Sequence, residues 1–447
     1  MRNISRRRLL GLLAASAAAA PLSALAETLL PPQGALRRNP AARFDWAAAG
    51  RLLRRRHPNL AQHFAFEYYP WYGTDPWRHW DQWDRRPPQD IAATSLPLLG
   101  PYNSLDGRVL ERHARWIADT GVGAINVSWW GRGGYEDQAV PLLMDVMRDH
   151  GLKVTFHLEP YTDTRARSYA DDVLYLVREY GDKRSWDAML VLADADGREG
   201  PVFKSFATIL PFEVTDCKGR TTQVPLWAPV STWREQTDAV RDALRRDFDR
   251  VLLLADSSDL DRVRASGFDG AALYDSYVRP PTWPALARAC TDVDLVFSFN
   301  INAGFDGIEP RTFDPDGCYS PLPFEPPAQV DWRSLRGRER ARQTSLARIA
   351  ESAQTTIGLQ VDPTLANLGN GVFLVYINSF NEWHEGTAFE PMKDYRTLTQ
   401  AERDTYHNPL DGDYRLNALT ELLRPVLGWA GLKACATSPC SAGLQPC

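Results

Sequence analysis

The sequence predicts a (β/α)8 fold, a TIM barrel with enlarged βα loops built as a single catalytic domain. Three observations predict it. Short apolar, β-rich runs alternate with amphipathic helical stretches from about residue 61 to residue 430, the signature of parallel strands joined by right-handed helical crossovers. Polar and aromatic residues crowd the ends of those runs, where a barrel carries its chemistry. No Gly-x-Gly-x-x-Gly or phosphate-loop pattern follows any run, which disfavours the competing doubly wound sheet.

The strand candidates are 63–69, 123–130, 153–158, 202–206, 251–255, 270–274, 294–300 and 372–380. The helical candidates between them are 109–120, 140–150, 170–180, 239–248, 284–289 and 343–354, with a last one at 414–427. The first strand runs into Glu67-Tyr68-Tyr69-Pro70-Trp71-Tyr72-Gly73 and the second into Ser128-Trp129-Trp130-Gly131. The third ends in His157-Leu158-Glu159-Pro160-Tyr161, and the sixth in Tyr274-Asp275-Ser276-Tyr277. The last ends in Asn378-Ser379-Phe380-Asn381-Glu382-Trp383-His384-Glu385-Gly386-Thr387. Residues 182–218 read as an inserted arm over the barrel mouth.

The ends of the chain read differently. Residues 1–26 join a basic head (Arg2, Arg6, Arg7, Arg8) to an alanine-rich apolar run closing on Ala24-Leu25-Ala26, the pattern of a cleaved export signal. The run Ser5-Arg6-Arg7-Arg8-Leu9-Leu10 is of the twin-arginine kind. The expectation is an exported protein, periplasmic or extracellular, with no membrane association once the signal is removed. Residues 27–60 read as a Pro/Ala/Arg-rich linker, 61–430 as the catalytic domain and 431–447 as a flexible tail holding Cys435, Cys440 and Cys447. Cys217, Cys290 and Cys318 are scattered, and no zinc spacing appears. Neither metal nor cofactor is expected. A net charge of −5 gives no reason to expect a nucleic-acid partner. An apolar fraction of 44% excludes a disordered chain.

The chemistry concentrates in the last cluster. Glu382 and Glu385 stand three residues apart past an apolar strand, so a turn there can aim both carboxylates into one cleft. Two placed carboxyls are what glycoside cleavage needs, one to protonate the departing oxygen and one to assist attack. Glu159, between His157 and Tyr161, is a candidate ligand for a sugar hydroxyl. Tyr69, Trp71, Tyr72, Trp129, Trp130, Tyr161, Tyr274, Asn381, Trp383 and His384 complete the candidate substrate-binding set. His157 belongs to it by position, although its residue type reads first as a satisfied core histidine. Trp71, Trp77, Trp80 and Trp83 fall within one polar loop, which reads either as a stacking platform for sugar rings or as a loop pinned to the barrel by its indoles. The partner expected is an oligo- or polysaccharide.

The runs Tyr68-Tyr69-Pro70-Trp71-Tyr72-Gly73, Gly100-Pro101-Tyr102-Asn103-Ser104, Val127-Ser128-Trp129-Trp130-Gly131, Phe156-His157-Leu158-Glu159-Pro160-Tyr161 and Ser379 to Thr387 together resemble glycoside hydrolase family 99, the endo-α-1,2-mannosidase and endo-α-1,2-mannanase family. The resemblance spans most of residues 63–390. It implies a (β/α)8 barrel that cleaves internal α-mannosidic bonds with retention. It further implies that Glu382 acts as base on the substrate's own 2-hydroxyl, giving a 1,2-anhydro sugar, and that Glu385 acts as acid/base. Glu159, Tyr69 and a residue of the Trp129/Trp130 pair would line the sugar subsites. The chain departs from the family pattern at Ala388-Phe389-Glu390, at Phe305 where a tyrosine is expected, and at Glu67, a charge in a normally apolar strand. Two alternatives stand beside this reading: a related α-glycosidase acting on another polysaccharide, and a carbohydrate-binding pseudoenzyme.

Overall fold

The computed structural model describes residues 44–215, 219–274, 279–305 and 330–428. The export signal, the first part of the linker, the tail, residues 275–277, Asp306, and all cysteines except Cys290 lie outside them.

Eight parallel strands form the sheet: β1 (Phe64–Tyr68), β2 (Ala124–Trp129), β3 (Lys153–Leu158), β4 (Glu199–Ser205), β5 (Leu252–Ala255), β6 (Gly270–Ala272), β7 (Val296–Ser298) and β8 (Val375–Asn378). Each pairs with the next in chain order from β1 to β7, and β8 pairs with β1. The ring closes because the segment that begins as β7 continues into Ile301–Asn302, which pairs with Ile377 and Asn378 of β8. This is the barrel expected from the strand–helix alternation. All eight strand candidates are found, with ends shifted by a few residues.

The strands are buried on both faces, as parallel strands covered by crossover helices must be. Along β1, Phe64, Phe66 and Tyr68 point outward into the layer shared with the helices. Ala65 faces the lumen with Ala124, Val202, Leu254, Val296 and Tyr376. Small residues on β1 and β2 leave room for branched ones opposite, the layered filling of a closed barrel. Above that apolar plug the lumen turns polar, with buried Glu67, Asn126, His157 and Lys204.

The helices relevant to the site are α1 (Trp46–Arg56), α2 (Gly107–Asp119), α3 (Tyr135–Asp149), α4 (Arg165–Leu176), α5 (Val230–Leu244), α6 (Leu260–Ala265), α7 (Trp283–Asp292), α8 (Leu335–Gln360) and α9 (Tyr414–Leu427). Helix α1 corrects the reading of 27–60 as linker. Asp45 caps it by accepting from the Ala48 N–H at 2.8 Å, and it buries Ala49, Gly50 and Leu53. Gly50 lies against α9 so closely that a Cβ there would sit 2.6 Å from the Pro425 carbonyl oxygen. The expected arm is also placed more exactly. Residues 199–205 are barrel strand, and the arm over the mouth begins at Phe206 and carries the hairpin Glu213–Thr215 with Thr221–Gln223. Buried Arg165 of α4 holds the root of this arm, donating to the Phe206 and Ala207 carbonyls at 2.6 and 2.9 Å. Among the described residues no helix is long and apolar enough to cross a membrane.

Candidate active site

The site lies where β1, β2, β3, β6 and β8 end. The turn after β8 is locked before it presents its acids. Asn381 is fully buried: its side chain accepts the Tyr69 N–H at 2.8 Å and donates to the Tyr69 carbonyl at 3.0 Å. That two-point clamp ties the turn to the end of β1. The Tyr72 hydroxyl donates to the Asn381 carbonyl and accepts the Trp383 N–H, both at 3.1 Å. Burial, with Glu382 nearby, pushes the Tyr72 phenol well above its ordinary pKa, so it remains a neutral donor.

Within this frame Glu382 is 1% exposed and its backbone N–H donates to the Ser379 hydroxyl at 2.8 Å. Its Oε1 lies 3.6 Å from His384 Nδ1. Glu385, half-buried, accepts from the Tyr274 hydroxyl at 3.1 Å, and that hydroxyl in turn accepts from Tyr69 at 2.8 Å. One acid is therefore sealed at the floor and the other stands nearer solvent on a tyrosine relay. Trp383, between them, points away and donates its indole N–H to Glu390 at 2.9 Å.

Glu159 is fully buried and accepts from Ser128 at 2.7 Å, while the Trp130 indole N–H donates to the same Ser128 hydroxyl at 3.1 Å. Its Oε2 has no protein partner among the described residues, the state of a group able to take a sugar hydroxyl. His157 lies beside this pair. Its Nδ1 lies 3.2 Å from Glu67 Oε2 and 3.9 Å from Glu159 Oε1, and its ring is 5.7 Å from that of Tyr274.

Two other candidates, Trp129 and Tyr161, sit away from the acids in the layer between sheet and helices. Trp129 packs in the layer between sheet and helices, its indole N–H donating to Asp137 at 2.7 Å, because its place on β2 turns it away from the lumen. Tyr161 packs on the same layer and donates to Asp172 at 2.6 Å. Trp71 is 2% exposed and stacks under His79, with centroids 4.4 Å apart, and His384 stacks beside it at 5.8 Å. Trp80 is buried against Tyr72 and donates to the Tyr102 carbonyl at 2.8 Å. Of the two readings of the tryptophan loop, pinning to the barrel describes Trp71 and Trp80. Phe305 is buried in the described structure.

Three supporting groups escaped the sequence reading. Glu390 accepts from Tyr102 at 2.8 Å as well as from Trp383, and its Oε1 lies 3.2 Å from His113 Nε2, so it anchors the turn after β8 from behind. His113 Nδ1 is bonded to the Tyr68 hydroxyl at 2.8 Å. Lys204, a lone cation in an apolar strand, pairs with Glu67 at 2.6 Å. The signal available for both Glu67 and Lys204 was the same: a charge where the strand pattern wants an apolar residue, which a folded protein tolerates only when paired.

The chain is similar to known proteins in sequence and in fold. A sequence model described as glycosyl hydrolase family 99 matches residues 59–189. The glycoprotein endo-alpha-1,2-mannosidase of Xenopus laevis is 27% identical over 365 residues, covering 74% of this chain and 70% of that one. Its Mus musculus counterpart is 25% identical over 362 residues, covering 74% and 68%. Among solved structures, the GH99 endo-alpha-mannosidase from Bacteroides thetaiotaomicron aligns with a TM-score of 0.58 at 21% identity, covering 82% of this chain and 97% of that one. Barrel, strand-end chemistry and sequence similarity thus point the same way: the chain is similar to glycosyl hydrolase family 99 in sequence and to a GH99 endo-alpha-mannosidase in fold.

Proposed function

We propose that the protein is an exported, retaining, endo-acting α-mannosidase in which the substrate supplies its own nucleophile. The observation that carries this reading is the division of labour within one turn, with Glu382 buried at the floor beside His384 and Glu385 half-buried on the Tyr274–Tyr69 relay. In the first step the Glu382 carboxylate takes the proton of the 2-hydroxyl. O2 attacks C1, the bond from C1 to the leaving oxygen breaks, and Glu385 gives its proton to that oxygen. In the second step the Glu385 carboxylate takes a proton from water. The resulting hydroxide oxygen bonds to C1, the C1–O2 bond of the anhydro ring opens, and O2 recovers its proton from Glu382. Two inversions at C1 give net retention.

Stereochemistry favours a manno-configured sugar for this route. In an α-mannoside the 2-hydroxyl and the leaving group lie on opposite faces of the ring, so O2 can approach C1 from behind. In an α-glucoside they share a face and the attack is blocked. Making the attack intramolecular removes most of its entropic cost. The names of the similar proteins support the same substrate class.

Glu385→Gln keeps the shape of the turn and removes the proton donor. Hydrolysis of α-1,2-mannotetraose should fall by about a thousandfold, with binding measured by calorimetry changed less than about threefold. Turnover at the wild-type rate would refute the acid assignment.

A further inference from the structure

We propose that Lys204, held by Glu67, is a positioning residue that fixes Tyr274 beneath Glu385. This inference rests on the proposed roles of the acid pair.

The ion pair spans the barrel lumen. Glu67 is on β1 and Lys204 on β4, with β2 and β3 between them in the sheet, yet Nζ reaches Glu67 Oε1 at 2.6 Å. Asn126 of β2 donates to Glu67 Oε2 at 2.9 Å, and His157 of β3 lies 3.2 Å from the same oxygen. Each of these four side chains is at most 1% exposed. The Lys204 ammonium stands 5.2 Å from the ring centroid of Tyr274 and 4.6 Å from that of Tyr376, within the range at which a cation is drawn to an aromatic face.

Tyr274 is gripped at every other point as well. Its N–H donates to Asp256 at 3.2 Å, and its carbonyl accepts from Asn300 and Asn378, each at 2.8 Å. Its ring meets Phe206 edge-on at 5.5 Å, and its hydroxyl bridges Tyr69 and Glu385. The backbone bonds fix where the residue is. The ring is steered from below by Lys204, and only the ring decides where the hydroxyl meets Glu385.

Stability does not account for the pair. Taking a lysine and a glutamate out of water costs about as much as their attraction returns, and well-packed apolar residues of the same volume usually serve folding as well or better. A fully buried pair whose cation lies under the tyrosine bonded to Glu385 is better explained by the geometry it imposes there.

The test measures kcat, KM and melting temperature on α-1,2-mannotetraose for Lys204→Met, Tyr274→Phe, the two combined, and Glu67→Gln/Lys204→Met. Lys204→Met should lower kcat about tenfold, with KM within about twofold, because Lys204 touches no substrate. Acting through Tyr274, it should add nothing to Tyr274→Phe: the combined variant should match Tyr274→Phe within about twofold. The Glu67→Gln/Lys204→Met protein removes both members of the pair together, so it keeps the question open to measurement if Lys204→Met alone folds poorly. It should melt near wild type and still lose kcat. Unchanged kcat in either Lys204 variant overturns the proposal. So do losses that multiply in the combined protein, or a kcat loss that only follows loss of folded protein. Glu385→Gln run alongside separates the two readings, since its normal turnover would refute the acid role independently of Lys204.

Discussion

Adjacent tryptophans at the end of β2 have opposite fates because consecutive residues along a strand direction face opposite sides of a sheet. Trp129 faces the helices and holds Asp137, while Trp130, half-buried, reaches Ser128 and through it Glu159. Trp129→Phe is therefore expected to lower the melting temperature by several degrees, with KM unchanged, from the loss of a buried hydrogen bond worth ~1–3 kcal/mol. Trp130→Ala is expected to leave the melting temperature nearly unchanged and raise KM about tenfold. Thermal melts and steady-state kinetics on the two variants check the pair, and equal KM effects would put both side chains at the ligand or neither. The motif pointed to one of these indoles as a candidate site residue. It could not show which, because a one-residue difference in where the strand starts exchanges their faces.

At the scale of elements, the strands were legible as short apolar runs, and their C-terminal limits were overestimated for a common reason. Trp130, Tyr274 and Phe380 extend the apolar pattern but leave the ladder, and Trp130 and Tyr274 there serve the site. Helix α1 was hidden because the Pro/Ala-rich stretch before it sets the composition of the window, while its own cap and buried face involve only Asp45, Ala49, Gly50 and Leu53. The entry to β1 carries a pH dependence. His63 Nδ1 is bonded to the Phe373 carbonyl at 2.7 Å, and burial, with His57 beside it, lowers its pKa to about 4 despite that carbonyl. The unfolded chain takes up this proton near pH 6.5 and the folded one only near 4, so between these values the unfolded state binds more protons. Stability should fall as pH drops from 6.5 to 4. His63→Asn, which keeps a donor for Phe373, should reduce that loss by ~2–3 kcal/mol, at ~1.4 kcal/mol per pKa unit. Urea unfolding at pH 7 and pH 4.5 reads the difference, and parallel stability losses in wild type and variant would contradict it. His57, also lowered by burial, adds a slope of the same sign.

Across the whole molecule, the barrel brings together groups far apart in the chain. Asn381 clamps Tyr69, 312 positions away, and Lys204 meets Glu67 across 137 positions and the full lumen. The candidate acid pair was legible because it sits in one short motif. Its supports, Glu390 behind the turn and the lumen charges below it, were not, because no local spacing encodes a contact made by closing a ring of strands. On the proposed mechanism, what the closed barrel achieves is to aim two carboxylates with different surroundings at one sugar, so that the sugar's own oxygen performs the attack. The most direct test is the rate of hydrolysis of an α-mannoside lacking only the 2-hydroxyl on the reacting ring. If O2 is the nucleophile, this compound should bind and yet be cleaved about a thousandfold more slowly, or not at all, despite the greater intrinsic lability of 2-deoxy sugars. Cleavage at a rate comparable to the parent mannoside would mean that a protein carboxylate or water makes the first attack, and the assignment of Glu382 would fall.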